Sequence, residues 1–244
     1  MEVGRSINNR VCVVGVILFS VLILGLCSIP GDLPGQDSAD LQRFEDSFPA
    51  MGVRFRVVMY APTPEHFQRV RRQVRERINR IEKSLSDYDS QSEINRLVRS
   101  APHESPVVIS DDFREVCRAT TRIHRLSGGA FDPTIGPVSM IWRLARKRNR
   151  LPDEQQISDA MRNVGWHHLH LTNDHRIRID AKSVQLDFGG IAKGYAADQA
   201  IEVCRRNQIT RALIDAGGDL RVSDPPPGKA AWRIGVDNFP ASAL

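Results

Sequence analysis

Leu186-Asp187-Phe188-Gly189-Gly190-Ile191-Ala192-Lys193-Gly194-Tyr195 runs from an alternating apolar segment through a glycine pair into helix-forming sequence. Val184, Leu186 and Phe188 recur with a period of two, which predicts a strand over 184–188, and the following residues predict a helix from about Ile191 to Arg206. Glycines at such a junction let a phosphate approach the backbone, and the free amides of a helix start favour anions. Read alone, the stretch is more often only a turn. Lys193 speaks for a ligand or a partner, because a cation in the first helical turn opposes the helix dipole by roughly 0.3–1 kcal/mol unless an anion or carboxylate lies close by.

Working outward, the chain mixes strands and helices without a regular alternation. Downstream, strands are predicted at Arg211 to Asp215 and Trp232 to Val236. Upstream, His168 to Leu171 and Arg176 to Ile179 read as a hairpin around Thr172-Asn173-Asp174-His175, preceded by a helix over Asp153 to Val164 that Gly165 stops. Val53, Phe55, Val57 and Met59 predict a strand after Met51-Gly52. Thr63-Pro64 then opens a helix whose apolar face is Phe67, Val70, Val74, Ile78, Ile81 and Leu85. Ser92-Glu93 starts a short helix, and Ser110-Asp111-Asp112 starts one that stops at Gly128-Gly129. The fold class is therefore α+β, a mixed and largely antiparallel sheet packed with helices.

At 244 residues, 41% hydrophobic and 26% charged, the chain can bury a sizeable core with a ligand cleft. Its net charge of +5 owes much to Arg69, Arg71, Arg72, Arg75, Arg77 and Arg80, which fall on one helix and read as a solvated face. With aromatics at 6% and no nucleic-acid motif, binding to nucleic acid is not expected. Cysteines 12, 27, 117 and 204 have no metal-site spacing, and Cys117 and Cys204 are expected to be buried in helices.

Arg5 and Arg10 precede an apolar run from Val11 to Leu26, the length of a signal-peptide core. Residues 1–28 are thus expected to be a signal or anchor, with Cys27 as a candidate lipidation site despite Leu26 where a small residue is usual. Residues 29–40 read as a flexible tether and 41–244 as the folded domain. The expected location is the periplasmic side of a bacterial inner membrane.

Four further segments bring glycines, acids and aromatics together. Gly128-Gly129-Ala130-Phe131-Asp132-Pro133-Thr134-Ile135-Gly136-Pro137 leaves a helix in a stiff turn, and Asp215-Ala216-Gly217-Gly218-Asp219 is a turn that must pass close to something bulky. Met51-Gly52 and Ser86-Asp87-Tyr88-Asp89 offer an apolar lid and an aromatic wall. Each has a plain packing explanation taken singly.

Taken together and in order, these motifs resemble the ApbE family of FAD:protein FMN transferases from about Pro49 to Val236, and imply an ApbE-like, T-fold-like architecture. The resemblance implies FAD as substrate, Mg2+ as the metal, and transfer of FMN to a threonine hydroxyl of an acceptor protein with release of AMP. The acceptor implied is a subunit of a membrane redox complex; hydrolysis of FAD, or an exported FAD-binding lipoprotein without transfer, are the alternatives. It further implies that Met51 and Tyr88 contact the flavin, that Ala130, Phe131, Asp132, Asp187 and Lys193 contact FAD, and that the Gly190 carbonyl meets the metal. Asp187 or Asp219 would orient the nucleophile. The turns around residues 130 and 190 are expected to face each other across one cleft. The family continues with a His-containing segment and an Ala-Asp-x-x-x-Thr segment that complete the metal site. This sequence ends at Leu244 without either, so weak or absent transfer is expected of the chain as given, unless a second chain supplies them.

Overall fold

A computed structural model describes residues 40–235. The first two strands form a hairpin, β1 (Gln42–Ala50) and β2 (Val53–Ala61), in register from Gln42↔Ala61 to Ala50↔Val53. Met51 and Gly52 make the two-residue turn with φ of 50° and 73°; positive φ at both turn positions matches the right-handed twist of the strands. The chain then crosses the sheet as α1 (Pro64–Leu85), capped by Thr63, and buries the apolar stripe anticipated from its spacing.

After α1 come α2 (Glu93–Arg99), the two-residue β3 (Val107–Val108) and α3 (Asp111–Leu126), then α4 (Gly136–Arg148) and α5 (Glu154–Met161). The hairpin β4 (Leu169–Leu171) and β5 (Arg176–Ile179) follows, with Leu169 opposite Ile179, and β3 adds to β5 to give a small three-stranded sheet. The chain returns through α6 (Ala192–Arg206) to β6 (Ala212–Ala216) and β7 (Asp219–Val222), which complete an antiparallel sheet of order β1-β2-β6-β7.

Helices α1 and α6 cover one face of that sheet. The buried side of α6 is Ala192, Ala196, Ala197, Ala200, Ile201 and Cys204, and such small residues let it lie close to α1 and the strands. Phe55, Val57, Met59 and Ile214 meet them from the sheet in one continuous core. Val58 and Leu213 are buried on the opposite face, where residues 224–235 fold back: Trp232 packs 6.0 Å from the Tyr60 ring, and its indole N–H donates to the Ser223 and Asp224 carbonyls at 3.3 and 3.0 Å.

The α+β class stands, with corrections in detail. Residues 184–188 are extended, with Val184, Leu186 and Phe188 buried as their alternation requires, yet they form no strand beyond one parallel bridge, Ile135↔Gln185. The neighbouring segment explains this. Pro133 has no N–H, and the amides of Thr134 and Ile135 both donate within their own turn to Asp132, so none is left to extend a ladder. Residues 232–235 likewise form no strand, because Trp232 is held side-on to β2, and Val236 lies outside the described residues.

Strand β1 escaped the sequence reading because it is a charged edge strand carrying Pro49 and an acid, Asp46, which is held by Arg71 of α1 at 3.0 Å. The arginine face of α1 is not wholly solvated either. Arg77 forks onto Asp112 and donates to Gln199 at 2.9 Å, and Arg75 lies 5.0 Å over the Phe48 ring. Cys117 and Cys204 are buried in helices. The expected signal, lipidation site and tether fall almost wholly on residues 1–39, outside the described residues; among the described ones, no helix is long and apolar enough to cross a membrane.

Candidate functional site

The hairpin turn at one end of the four-stranded sheet is anchored to the C-terminal end of α1, where the Met51 amide donates to Glu82 Oε1 at 2.9 Å. Immediately after α1, Asp87 and Tyr88 project from a turn held by Asn95, whose amide nitrogen donates to the carbonyls of Ser86, Asp87 and Asp89 at 2.8–3.2 Å. The β6–β7 turn comes to the same sheet end. Gly217, at φ 66°, passes so near Val53 that a Cβ placed there would lie 2.7 Å from the valine Cβ. The bulky object this glycine turn skirts is therefore the protein's own β2. Asp219, at the start of β7, is ion-paired with Lys193 in the first turn of α6. This is the carboxylate that the cation at a helix start requires.

The loop between α3 and α4 is tied by Asp132. Its Oδ1 accepts from the Thr134 N–H and hydroxyl at 2.8 and 2.7 Å, and its Oδ2 accepts from the Trp166 N–H at 3.1 Å. The buried Thr134 hydroxyl in turn accepts from the Gly165 N–H at 2.7 Å. The Asp132 carboxylate is thus engaged by its own loop through Oδ1 and by the Trp166 backbone through Oδ2. Phe131, one residue earlier, points its ring at Gly190: a Cβ added there would sit 3.1 Å from the ring edge. The turns around 130 and 190 therefore touch, where a cleft between them was expected. The Asp187 N–H donates to the Pro133 carbonyl at 2.7 Å, so backbone bonding holds them together.

Asp187 has one oxygen on the Gly189 N–H at 2.9 Å and the other on Arg143 of α4 at 2.9 Å. The same guanidinium pairs through its second nitrogen with Asp87 and lies 4.4 Å over the Tyr88 ring. Burial pushes the Asp87 carboxyl up from the ordinary carboxylate range, the Arg143 hydrogen bond opposes this, and the Asp187 charge adds to it. Arg143 itself is held above its ordinary value: burial disfavours its charge, but the hydrogen bond to Asp87 and both carboxylates outweigh that. Asp87 and Arg143 are residues that motif reading did not assign. The first stands in the quoted Ser86-Asp87-Tyr88-Asp89, where only Tyr88 is given a role. The second lies on α4, a helix the sequence reading did not predict.

Met51 is thus tied to the end of α1, Tyr88 and Asp187 meet through Arg143, Phe131 meets Gly190, and Lys193 pairs with Asp219, with Ala130 exposed on the Phe131 loop. Behind it, Tyr195 donates to Asp112 at 2.7 Å and Arg77 completes a partly buried network joining α1, α3 and α6. Among the described residues, no cluster of three His, Cys, Asp or Glu side chains is placed to hold a metal ion. Among the described residues, a cavity of about 700 Å³ lies between α4 and α5, lined by Met140, Leu144, Leu151 and Ala160, and one of about 970 Å³ lies on the outer sheet face beside Trp232, reaching Asp215 of β6 and Gly218 of the β6–β7 turn.

The model of the ApbE family matches residues 51–243. A curated relative from Chlamydia pneumoniae, an FAD:protein FMN transferase, is 29% identical over 157 residues, covering 64% of this chain and 49% of its own length. The flavin transferase ApbE from Vibrio cholerae superposes with a TM-score of 0.74 at 20% identity, over 80% of this chain and 64% of that one. The apo flavinyl transferase ApbE of Pseudomonas stutzeri gives a TM-score of 0.71 at 27% identity, over 80% of this chain and 63% of that one. The chain spans about half the length of the curated relatives it matches first.

Proposed function

Because the chain belongs to the ApbE family, we propose that it serves transfer of FMN from FAD to a threonine hydroxyl of an acceptor protein, with release of AMP. The observation that supports this is the meeting of five segments distant in sequence. The 51–52 turn bonds to the end of α1, Arg143 joins Asp87 just after α1 to Asp187, Phe131 of the 130–137 loop meets Gly190, and Lys193 of the 186–193 turn pairs with Asp219.

In the proposed reaction the threonine oxygen bonds to the FMN phosphorus, the phosphorus–oxygen bond to AMP breaks, and the hydroxyl proton is lost to a base. The barrier is chiefly electrostatic, because the attacking oxygen approaches a charged pyrophosphate. Lys193, which Asp219 pairs with, supplies positive charge at a helix start and contacts the phosphates in this reading. Tyr88 offers an aromatic surface to the flavin, and Phe131 backs the glycine turn. Asp187 and Asp219 are each paired with a cation, and their part in this reading is to orient groups. Asp132 serves by shaping the loop that carries Ala130 and Phe131.

Magnesium is part of this proposal, but the described residues do not by themselves fit the ion. Gly190 offers a carbonyl, while both oxygens of Asp187 and one of Asp219 are already engaged. Magnesium favours octahedral oxygen coordination with at least one carboxylate, so no step is routed through it here. The acceptor, a subunit of a membrane redox complex, and residence on the periplasmic side with an N-terminal anchor belong to the same proposal.

The test is a titration of the full chain with FAD, with and without magnesium, followed by mass analysis of an acceptor domain. A gain of one FMN on a threonine supports transfer, and binding without that gain returns the FAD-binding module. Absence of any flavin affinity removes both. Asp187→Ala should abolish FAD binding, and unchanged affinity would remove the site assignment.

A further inference from the structure

We propose that Arg143 is the positioning residue of the flavin site, the one side chain that holds Tyr88 in plane and joins it to Asp187. This rests on the flavin reading above. Three observations carry it. The guanidinium spans two carboxylates from different parts of the chain, Asp87 through one terminal nitrogen and Asp187 through the other, the latter at 2.9 Å. Its central carbon lies over the Tyr88 ring, 4.4 Å from the centroid, and Tyr88 is nonetheless 78% exposed, so the ring keeps a surface open on the side away from Arg143. The two carboxylates are each more than four-fifths shielded, and among the described residues Arg143 alone is paired with both.

Arginine alone among side chains meets these demands together. Its planar fork has N–H groups diverging to two acceptors while its face is free to stack on an aromatic ring, and a lysine ammonium could satisfy only one such contact at a time. Two consequences follow for a flavin dinucleotide. A ring already fixed on one side by a cation presents its other side to an isoalloxazine without further ordering. The cluster also carries one net negative charge where two carboxylates alone would carry two, which lowers repulsion against the pyrophosphate. Arg143 thus acts through Tyr88 and Asp187, with no direct part in phosphoryl transfer.

The experiment compares the full-length protein with Arg143→Ala, Arg143→Lys, Tyr88→Leu and the Arg143→Ala/Tyr88→Leu double variant. FAD affinity and the quenching of flavin fluorescence on binding are measured, and thermal melts check folding. Arg143→Ala is expected to weaken FAD binding about tenfold and to reduce the quenching of whatever binds. Arg143→Lys, which keeps the charge and the fold, should recover affinity only partly and leave the quenching reduced. In the Tyr88→Leu background, the arginine change should cost less than about threefold, since coupled residues do not add. Arg143→Ala or Arg143→Lys binding FAD like the parent with full quenching would overturn the inference while leaving the flavin reading intact, as would independent multiplication of the two effects. If the parent chain binds no FAD, the flavin reading itself fails and takes this inference with it.

Discussion

Gly136→Ala and Gly194→Ala make the same chemical change in the first turn of a helix, and the structure assigns them opposite signs. Gly136 opens α4 against residue 185: a Cβ there would lie 2.6 Å from the Gln185 carbonyl oxygen and 2.7 Å from its carbonyl carbon and Cβ. Favourable contacts between such atoms begin near 3.5 Å, so α4 and the 184–188 segment must separate by about 0.8 Å. Overpacking of this kind costs about 1–3 kcal/mol, and exchange of glycine for alanine in a helix returns at most about 1 kcal/mol. The expected net loss is about 1–2 kcal/mol, or about 2–8 °C in Tm for a domain of this size. Gly194 in α6 has nothing within 4 Å of its would-be Cβ. Only the gain applies there, and Tm should rise by about 1–4 °C. Calorimetry, with urea titration to verify that the m-value is unchanged, reads both. If Gly136→Ala melts at or above the parent, the close approach of the two segments is wrong.

Arg77→Ala should lower stability by about 2–3 kcal/mol, read from the urea midpoint, because Asp112 would keep only the Tyr195 hydroxyl as its partner. Burial alone would raise the Asp112 carboxyl, but hydrogen bonds from Arg77 and Tyr195 outweigh it and hold the group below its ordinary value. Its contribution is therefore present above the ordinary carboxylate range near pH ~4 and is lost as pH falls through the lowered value. Unfolding free energies between pH 6 and pH 2 should fall more steeply for the parent than for Asp112→Asn, and parallel curves would refute the assignment. Asp132→Ala should destabilise by about 2–3 kcal/mol, since it strips an acceptor from two backbone amides and a buried hydroxyl; a change below about 0.5 kcal/mol would show that the loop does not depend on it. Burial pushes the Cys204 thiol up to about 12 and that of Cys117 higher still, so mass-mapped alkylation should reach either only after unfolding.

Where one periodicity governed a segment, the sequence was sufficient. The α1 stripe from Phe67 to Leu85, the β4–β5 hairpin and the helix capped by Asp153 all follow from spacing and end signals. Legibility failed where distant partners decide. An acid on the half-buried side of β1 looks incompatible with a strand until Arg71 is known to meet it. Alternation at 184–188 reports burial truly but not pairing, because the adjacent loop keeps its own amides. Helix α4 buries only Gly136, Val138 and Ala145, leaving Met140, Trp142 and Leu144 exposed, so no clear stripe announces it. For the site, glycine and carboxylate motifs marked the turns, whereas their cross-links depend on side chains such as Arg143 and Glu82 whose neighbours no spacing rule reveals.

The bond from the Asp187 amide to the Pro133 carbonyl, with the bridge between residues 135 and 185, has a thermodynamic consequence for recognition. Two loops joined through their main chains behave as one rigid body, so a ligand arriving there has little conformational entropy to quench. Such preorganisation lowers the ordering cost of association, and it should leave the Asp187 amide resistant to deuterium exchange.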